Sequence, residues 1–123
     1  MALTNSGAQY LARAVIDDNP VFFNEANAHI GVGDGSGSFV ASQTDLLGAN
    51  KTRKKVSEEP VRSDRELIFK TVFNPDEANH AWSEWGIFNA STGGTMLNRT
   101  TESLGAKSGG TWALTVQIQV NPG

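Results

Sequence analysis

The chain has 123 residues, a formal net charge of −3 and a sequence pI near 5.3. This length predicts a single domain over residues 1–123, with a core large enough to need no covalent staple. The absence of cysteine excludes disulfides and thiolate metal sites. The acidic balance argues against general nucleic-acid binding, so no nucleic-acid partner is expected.

The chain also lacks the patterns of export and of membrane insertion. Its first residues contain neither a basic run nor an apolar run, so no signal peptide is expected. No stretch of 18 apolar residues occurs, so no membrane span is expected. The two histidines, His29 and His80, stand outside any metal-ligand spacing. We therefore expect no metal and no other cofactor.

Residues 4–18 are predicted to form the one helix of the chain. Thr4 or Asn5 can cap its N-terminus by accepting a free backbone N–H, and Pro20 prevents its continuation. Apolar residues recur at helical spacing in Ala8, Leu11, Ala12 and Val15. This stripe predicts a face that packs on the sheet or on a neighbouring subunit.

Two segments carry the clearest strand patterns. Residues 112–120 place large apolar side chains at every second position, namely Trp112, Leu114, Val116, Ile118 and Val120. This alternation predicts one buried face and one solvent-facing side. Residues 65–73 are partly apolar on both sides, which predicts a central or covered strand.

Shorter strands are predicted at 28–33, 82–90 and 95–99, with loops at 34–38 and 91–94, one helical turn at 76–80 and a Gly- and Ser-rich link at 104–110. Strands at short intervals with Gly-rich turns favour a mainly β protein. The expected fold is an antiparallel β-sandwich or barrel-like module with one N-terminal α-helix.

The motifs that could carry chemistry are weak. The glycines of residues 31–37 alternate singly, and no amphipathic helix follows them, so they predict a tight surface loop and not a dinucleotide site. The same loop resembles the start of a calcium loop, with Asp34 first and Asp45 twelfth, but its third and fifth positions, Ser36 and Ser38, offer only hydroxyls. No nucleophile-elbow pattern occurs.

Glu84 is the most suggestive acid for a hydrolase, because two tryptophans flank it and Glu66 could lie on a neighbouring strand. The alternative is that Glu84 pairs with an arginine or with backbone. We expect this alternative, no catalytic residue and no enzyme activity.

An interface is the more promising kind of site. The basic run at residues 51–55 predicts a solvated edge strand or a contact with an acidic partner. Trp82 and Trp85 would point to opposite faces of one strand, so one of them is expected to face outward. The full set of interface candidates is Leu3, Thr4, Val21, Phe22, Phe23, Lys51, Arg53, Lys54, Lys55, Trp82 and Trp85.

Several short motifs occur in a familiar order. Residues 3–7 lead into Leu11-Ala12, and they are followed by the motifs at 31–35, 43–46, 82–89 and 93–99. This order resembles the N-terminal domain of the tail-collar fibre family of tailed bacteriophages. The resemblance implies a structural protein located in the virion and made in the host cytoplasm. Its implied partners are the major capsid protein or the tail and fibre proteins.

A fibre protein would continue into a shaft and a tip, whereas this sequence stops at Gly123. The resemblance therefore leaves two roles, a capsid decoration (cement) protein or a tail or baseplate adaptor that seats a separate fibre. Cement ranks first by a narrow margin, and a homo-oligomer is expected, with a trimer as first choice. A carbohydrate-binding module is a more distant alternative, because it would need exposed, coplanar aromatic rings.

Overall fold

The computed structural model describes residues 3–122, which form one helix and seven strands in two antiparallel sheets. The elements are α1 (Asn5–Val15), β1 (His29–Gly33), β2 (Lys51–Lys55), β3 (Val61–Ser63), β4 (Glu66–Phe73), β5 (Ala81–Phe88), β6 (Met96–Ala106) and β7 (Trp112–Gln119). The four-stranded sheet has the order β2-β1-β5-β6, and the three-stranded sheet has the order β3-β4-β7. The protein is therefore mainly β and sandwich-like, as the sequence predicts.

The main core contains apolar side chains from both sheets, including Ile30, Val32, Phe69, Phe73, Ile87, Val116 and Ile118. A second, smaller cluster of Leu46, Phe88 and Met96 joins residues of β5 and β6 to the segment 34–50. Lys70 and Val72 lie exposed on β4, between buried Phe69, Thr71 and Phe73. The two sheets thus share one core, while β4 presents alternate residues to solvent.

The two clearest strand predictions are confirmed. β7 alternates as expected, with Val116 and Ile118 buried and Trp112 and Leu114 half-buried. Val120 follows the end of the strand and is 37% exposed, so it contributes less to the core than predicted. β4 lies between β3 and β7. Apolar periodicity predicts these two strands correctly because they pair with each other regularly over their full common length.

The helix is shorter than predicted and is rotated. Thr4 is its N-cap, but of the expected stripe only Leu11 is half-buried, and Ala8, Ala12 and Val15 face solvent. Gly7 is buried, and a side chain there would overlap the carbonyl oxygen of Leu97 on β6. This close approach decides which face of the helix packs, because only glycine allows the two backbones to meet. Apolar spacing alone gave the wrong face.

The link predicted at 104–110 and the helical turn predicted at 76–80 are also wrong. β6 continues to Ala106, and the segment 74–80 is an irregular turn in which Ala78 has a φ of 54°. Lys107 is 2% exposed, and its amine donates to the carbonyl oxygens of Asn74 and Glu77 at 2.7 and 2.8 Å. The buried ammonium thus ties two backbone carbonyl groups of this turn to the residue that follows β6.

Candidate functional site

Glu84 and Arg99 form a buried ion pair on neighbouring strands of the four-stranded sheet. Both side chains are 0% exposed, and the Nε of Arg99 donates to Oε1 of Glu84 at 2.7 Å. The backbone N–H groups of Gly35, Leu47 and Gly48 donate to the same carboxylate at 3.0, 2.9 and 2.7 Å. The carboxylate therefore holds the segment 34–50 against the sheet.

Glycines at the end of β1 and in the loop that follows it allow this closure. A Cβ atom at either Gly33 or Gly35 would lie 2.5 Å from Oε2 of Glu84, which is closer than real side chains approach. The glycines are therefore required by the approach of the loop backbone to a buried carboxylate of the same chain. The loop predicted at 34–38 is present, whereas Gly31 and Gly33 lie buried in β1 and not in a surface loop. The expected pairing of Glu84 with an arginine and with backbone is confirmed.

The surroundings of Glu84 keep it ionised. Burial raises the pKa of Glu84, but the N–H of Leu47, the Arg99 guanidinium and the N–H groups of Gly48 and Gly35 lower it by more. The resulting pKa lies below the ordinary glutamate value. Glu84 is thus a structural anion, buried away from solvent.

The second acid of the imagined hydrolase pair lies elsewhere. Glu66 begins β4 in the three-stranded sheet, whereas Glu84 lies on β5 in the four-stranded sheet. The two acids are therefore not on neighbouring strands. Among residues 3–122 no group of three or more His, Cys, Asp or Glu side chains is arranged to hold a metal ion.

The two aspartates of the calcium-like loop are engaged within the chain. The Asp34 carboxylate accepts hydrogen bonds from the backbone and side-chain amides of Asn50, and these lower its pKa. Burial raises the pKa of Asp45, but hydrogen bonds from Lys51 and Leu46 and the charge of Arg53 lower it by more, so that the pKa lies below the ordinary aspartate value. Both carboxylates therefore stabilise local turns and strand β2.

The expectation that either Trp82 or Trp85 faces outward is wrong. They are 2% and 6% exposed, and both belong to the main core. The register between β5 and β6 shifts between Trp82 and Glu84, which interrupts the alternation from which opposite faces were inferred. The Trp82 ring meets Trp112 edge-on, with centroids 5.0 Å apart. These rings offer neither an interface nor a flat platform for sugars.

The N-terminal candidates belong to the fold as well. Leu3 bridges to Asn98 of β6 and is half-buried. Thr4 is 1% exposed, and its hydroxyl accepts from Gly7 N–H and donates to the carbonyl of Met96. Thr4 is therefore an internal cap and not a contact residue, and Met1 and Ala2 lie outside the described residues.

Replacing Thr4 by Ala should destabilise the protein by about 1–2 kcal/mol, because a helix cap and a buried hydrogen bond are lost together. Urea denaturation followed by tryptophan fluorescence measures this difference. Thr44→Ala is the control, because Thr44 is exposed and its loss should change the free energy of unfolding by less than about 0.5 kcal/mol. Equal effects of the two variants would contradict the role of Thr4.

The basic run forms edge strand β2, as predicted, and its cations are largely engaged within the chain. Lys51 pairs with Asp45 at 3.0 Å, and Lys54 pairs with Glu77 at 2.7 Å. Arg53 stacks 3.6 Å above the ring of Phe88 and donates to the carbonyls of Ala90 and Gly93. Lys55 is exposed at the end of the strand. The run thus serves the fold and carries less free charge for an acidic partner than its sequence suggests.

The remaining candidates lie on an apolar surface beside the helix. Val21 and Phe22 are 54% and 52% exposed, and Val61 of β3 is 50% exposed. Phe23 is half-buried, with its ring 4.8 Å from that of Tyr10. This surface contains a cavity of about 260 Å³, which we call the α1 groove. The α1 groove is lined by Tyr10, Leu11, Phe22, Phe23, Asn24, Glu59, Pro60, Val61, Arg62, Leu67, Phe69 and Leu97.

Sequence reasoning missed the part of this groove that β3 provides. Val61 lies in a strand of three residues, which is too short to show alternation. Val15 and Ile16 at the end of α1 are 83% and 75% exposed, although an apolar stripe suggested that Val15 was packed. The only sequence signal was a set of large apolar residues near Pro20 and Pro60, both breakers of regular structure.

The fold and these surfaces define the protein as a sandwich-like β domain whose candidate sites are contact surfaces. No protein-family model matches the sequence, and no match was found among curated proteins. Of residues 3–122, no helix has both the length and the apolar character needed to cross a membrane.

Proposed function

We propose that this protein is a non-catalytic structural subunit of a tailed-bacteriophage virion, made in the host cytoplasm and attached to other virion proteins. The observation that carries the proposal is the exposed apolar surface of the α1 groove, with Phe22 and Val61 half exposed. Large exposed apolar patches are typical of protein contact sites. The acid and the tryptophans that suggested chemistry or sugar binding are buried within the fold.

The resemblance to the tail-collar fibre family supports the same role. The residues that carry it have linked structural tasks, because Leu3 and Thr4 contact β6, while the glycines at 31–35 close over Glu84 of β5. The motifs therefore describe one connected framework around β5 and β6. The resemblance to a fibre-attachment domain, carried by residues of this framework, supports attachment to a virion.

Within this proposal, a cement protein that decorates the capsid is the first candidate and a tail or baseplate adaptor is the second. A small sandwich-like domain with an exposed apolar groove suits attachment where capsid subunits meet. The tail-collar resemblance favours the adaptor. In either role the chain must bury a contact area of roughly 1,200–2,000 Å² in total to attach stably.

Phe22→Asp is expected to reduce attachment to particles about tenfold or more, because a charge in a buried apolar contact removes a hot spot worth about 2 kcal/mol. The measurement is the occupancy of a tagged chain on particles assembled in cells that express it. Val40→Asp is the matched control, since Val40 is 54% exposed and lies outside the α1 groove. The control should leave both attachment and folding unchanged.

A reconstruction of the particle decides between the two roles. Density for this chain on the head supports cement, and density at the tail or baseplate supports the adaptor. Absence of the chain from purified particles, or equal occupancy of the Phe22→Asp variant and the wild-type chain, would contradict the proposed use of the α1 groove.

A further inference from the structure

The free edges of the two sheets are not equally protected. The edge strands are β2 and β6 in the four-stranded sheet and β3 and β7 in the three-stranded sheet. An edge strand exposes unpaired N–H and C=O groups that can pair with another chain, and proteins protect such edges with charges, bulges or short strands.

Three of the four edges carry such protection. β2 has four cations in five residues, at Lys51, Arg53, Lys54 and Lys55. β3 is only three residues long. β6 has shifts in its pairing register, carries Glu102 and has Gly105 at a φ of 104°. These three strands are poor templates for further pairing.

β7 has none of these protections. It extends for eight residues, Trp112–Gln119, without a charge, a proline or a glycine. The whole stretch of residues 108–123 contains no charged side chain. Within residues 3–122, β7 pairs with β4 alone. Its other edge is long, regular and uncharged, which are the features expected of a strand that pairs with another chain.

The sandwich is also open beside this edge. A cleft of about 510 Å³ separates β6 from β7 and is lined by Trp85, Thr100, Glu102, Leu104, Leu114, Thr115, Val116 and Gln117. Leu104 and Leu114 pack against the main core but are only partly buried. A further strand added to β7 would direct alternate side chains over this cleft and would complete the burial of Leu104 and Leu114.

We propose that β7 pairs antiparallel with β7 of a second copy of this chain, which joins two three-stranded sheets into one six-stranded sheet. A two-fold axis at Val116 places Leu114 of one copy opposite Ile118 of the other, and Thr115 opposite Gln117. Each apolar side chain of one copy then lies beside an apolar side chain of the other, and each polar side chain lies beside a polar one. Because residues 108–123 are uncharged, the strand brings no like charges together, whereas β2 paired with itself would oppose cations.

This symmetry differs from the trimer expected from the sequence. A ring built by edge pairing would need β7 to meet a different unprotected edge of its neighbour, since such contacts are heterologous. The other edges among residues 3–122 are charged, short or irregular. The two-fold dimer needs only one unprotected edge on each copy, which is β7. Once the two β7 strands pair, no unprotected edge strand remains among residues 3–122 of either copy.

The test introduces like charges across the axis. Thr115 and Gln117 are exposed, so the variant T115K/Q117K should fold normally as a monomer. In the dimer its lysines would lie opposite each other, and the dimer dissociation constant should rise about tenfold or more. Analytical ultracentrifugation over a range of concentrations measures it, with S36K/S38K as the control of equal charge at exposed loop positions.

A mixture of T115K/Q117K with T115E/Q117E should restore the dimer, because opposite charges then face each other. The wild-type chain should sediment with twice its monomer mass of 13.1 kDa. A wild-type monomer at every concentration, a trimer, or a dimer that T115K/Q117K leaves unchanged would each overturn the proposal. Loss of particle attachment in Phe22→Asp would not affect it, because the dimer depends on β7 alone.

Discussion

Replacing Glu84 by Gln should destabilise the protein by about 3–5 kcal/mol, because the charge of Arg99 would remain buried without its counter-ion. The amide also puts an N–H group where the carboxylate accepts bonds from Gly35, Leu47 and Gly48. Domains of this size are stable by about 5–15 kcal/mol, so the loss is a large fraction of the total. Urea denaturation at pH 7 measures it through tryptophan fluorescence.

Asp45→Asn is the control for this prediction. The Asp45 side chain is 43% exposed and its pair with Lys51 faces solvent, so its loss should cost no more than about 1 kcal/mol. The double variant E84Q/R99M should lose less than the sum of its single variants, since removal of both charges leaves none unpaired. Additive losses in this cycle would contradict coupling between Glu84 and Arg99.

The same pair makes stability depend on pH in acid. The pKa of Glu84 is lowered in the folded protein, so its contribution is complete above the ordinary glutamate pKa of about 4.3 and decreases as the pH falls through the folded value. Asp34, Asp45 and Glu77 also have lowered pKa values and add to the loss in acid. The Glu84→Gln variant should therefore show a shallower decline below about pH 4.3 than the wild-type chain.

The sequence predicted best where strands pair regularly. The alternation in β7 and the apolar character of β4 follow directly from a pleated strand with one face in a core. Both strands pair with each other in one continuous register from Glu66–Gln119 to Phe73–Trp112. Their positions in the sheets could not be read from the pattern, because strand order depends on contacts between distant segments.

The errors arose where local geometry departs from a regular period. A register shift in the β5–β6 pair places Trp82 and Trp85 in one core, which no count along the strand could show. The rotation of α1 is set by the contact of Gly7 with Leu97, a residue 90 positions away. The alternating glycines predict a tight surface loop. Only the structure shows that the group which the backbone approaches is the Glu84 carboxylate.

The candidate surfaces were harder to predict than the fold. Val21 and Phe22 were selected as an apolar run outside any strand, and both are exposed as an interface requires. Thr4 is a candidate because it lies in the N-terminal segment, and Trp82 and Trp85 because alternation places one of them outward, but all three side chains are engaged inside the chain. Exposure depends on which segments pack together, so position in the sequence and strand alternation alone do not separate a contact residue from a core residue.

Ile118→Asp should leave the chain unfolded at pH 7 and 25 °C. Ile118 is 0% exposed between the sheets, so the change removes about 1.5–3 kcal/mol of apolar burial and adds an unpaired buried charge that costs several kcal/mol more. Val72→Asp is the matched control, because Val72 is 37% exposed on the neighbouring strand β4 and its aspartate stays in water. Circular dichroism should show a cooperative melt for the control and none for Ile118→Asp. A native-like melt for Ile118→Asp would mean that β7 presents its other face to the core, and the pairing proposed for its free edge would then lose its apolar side.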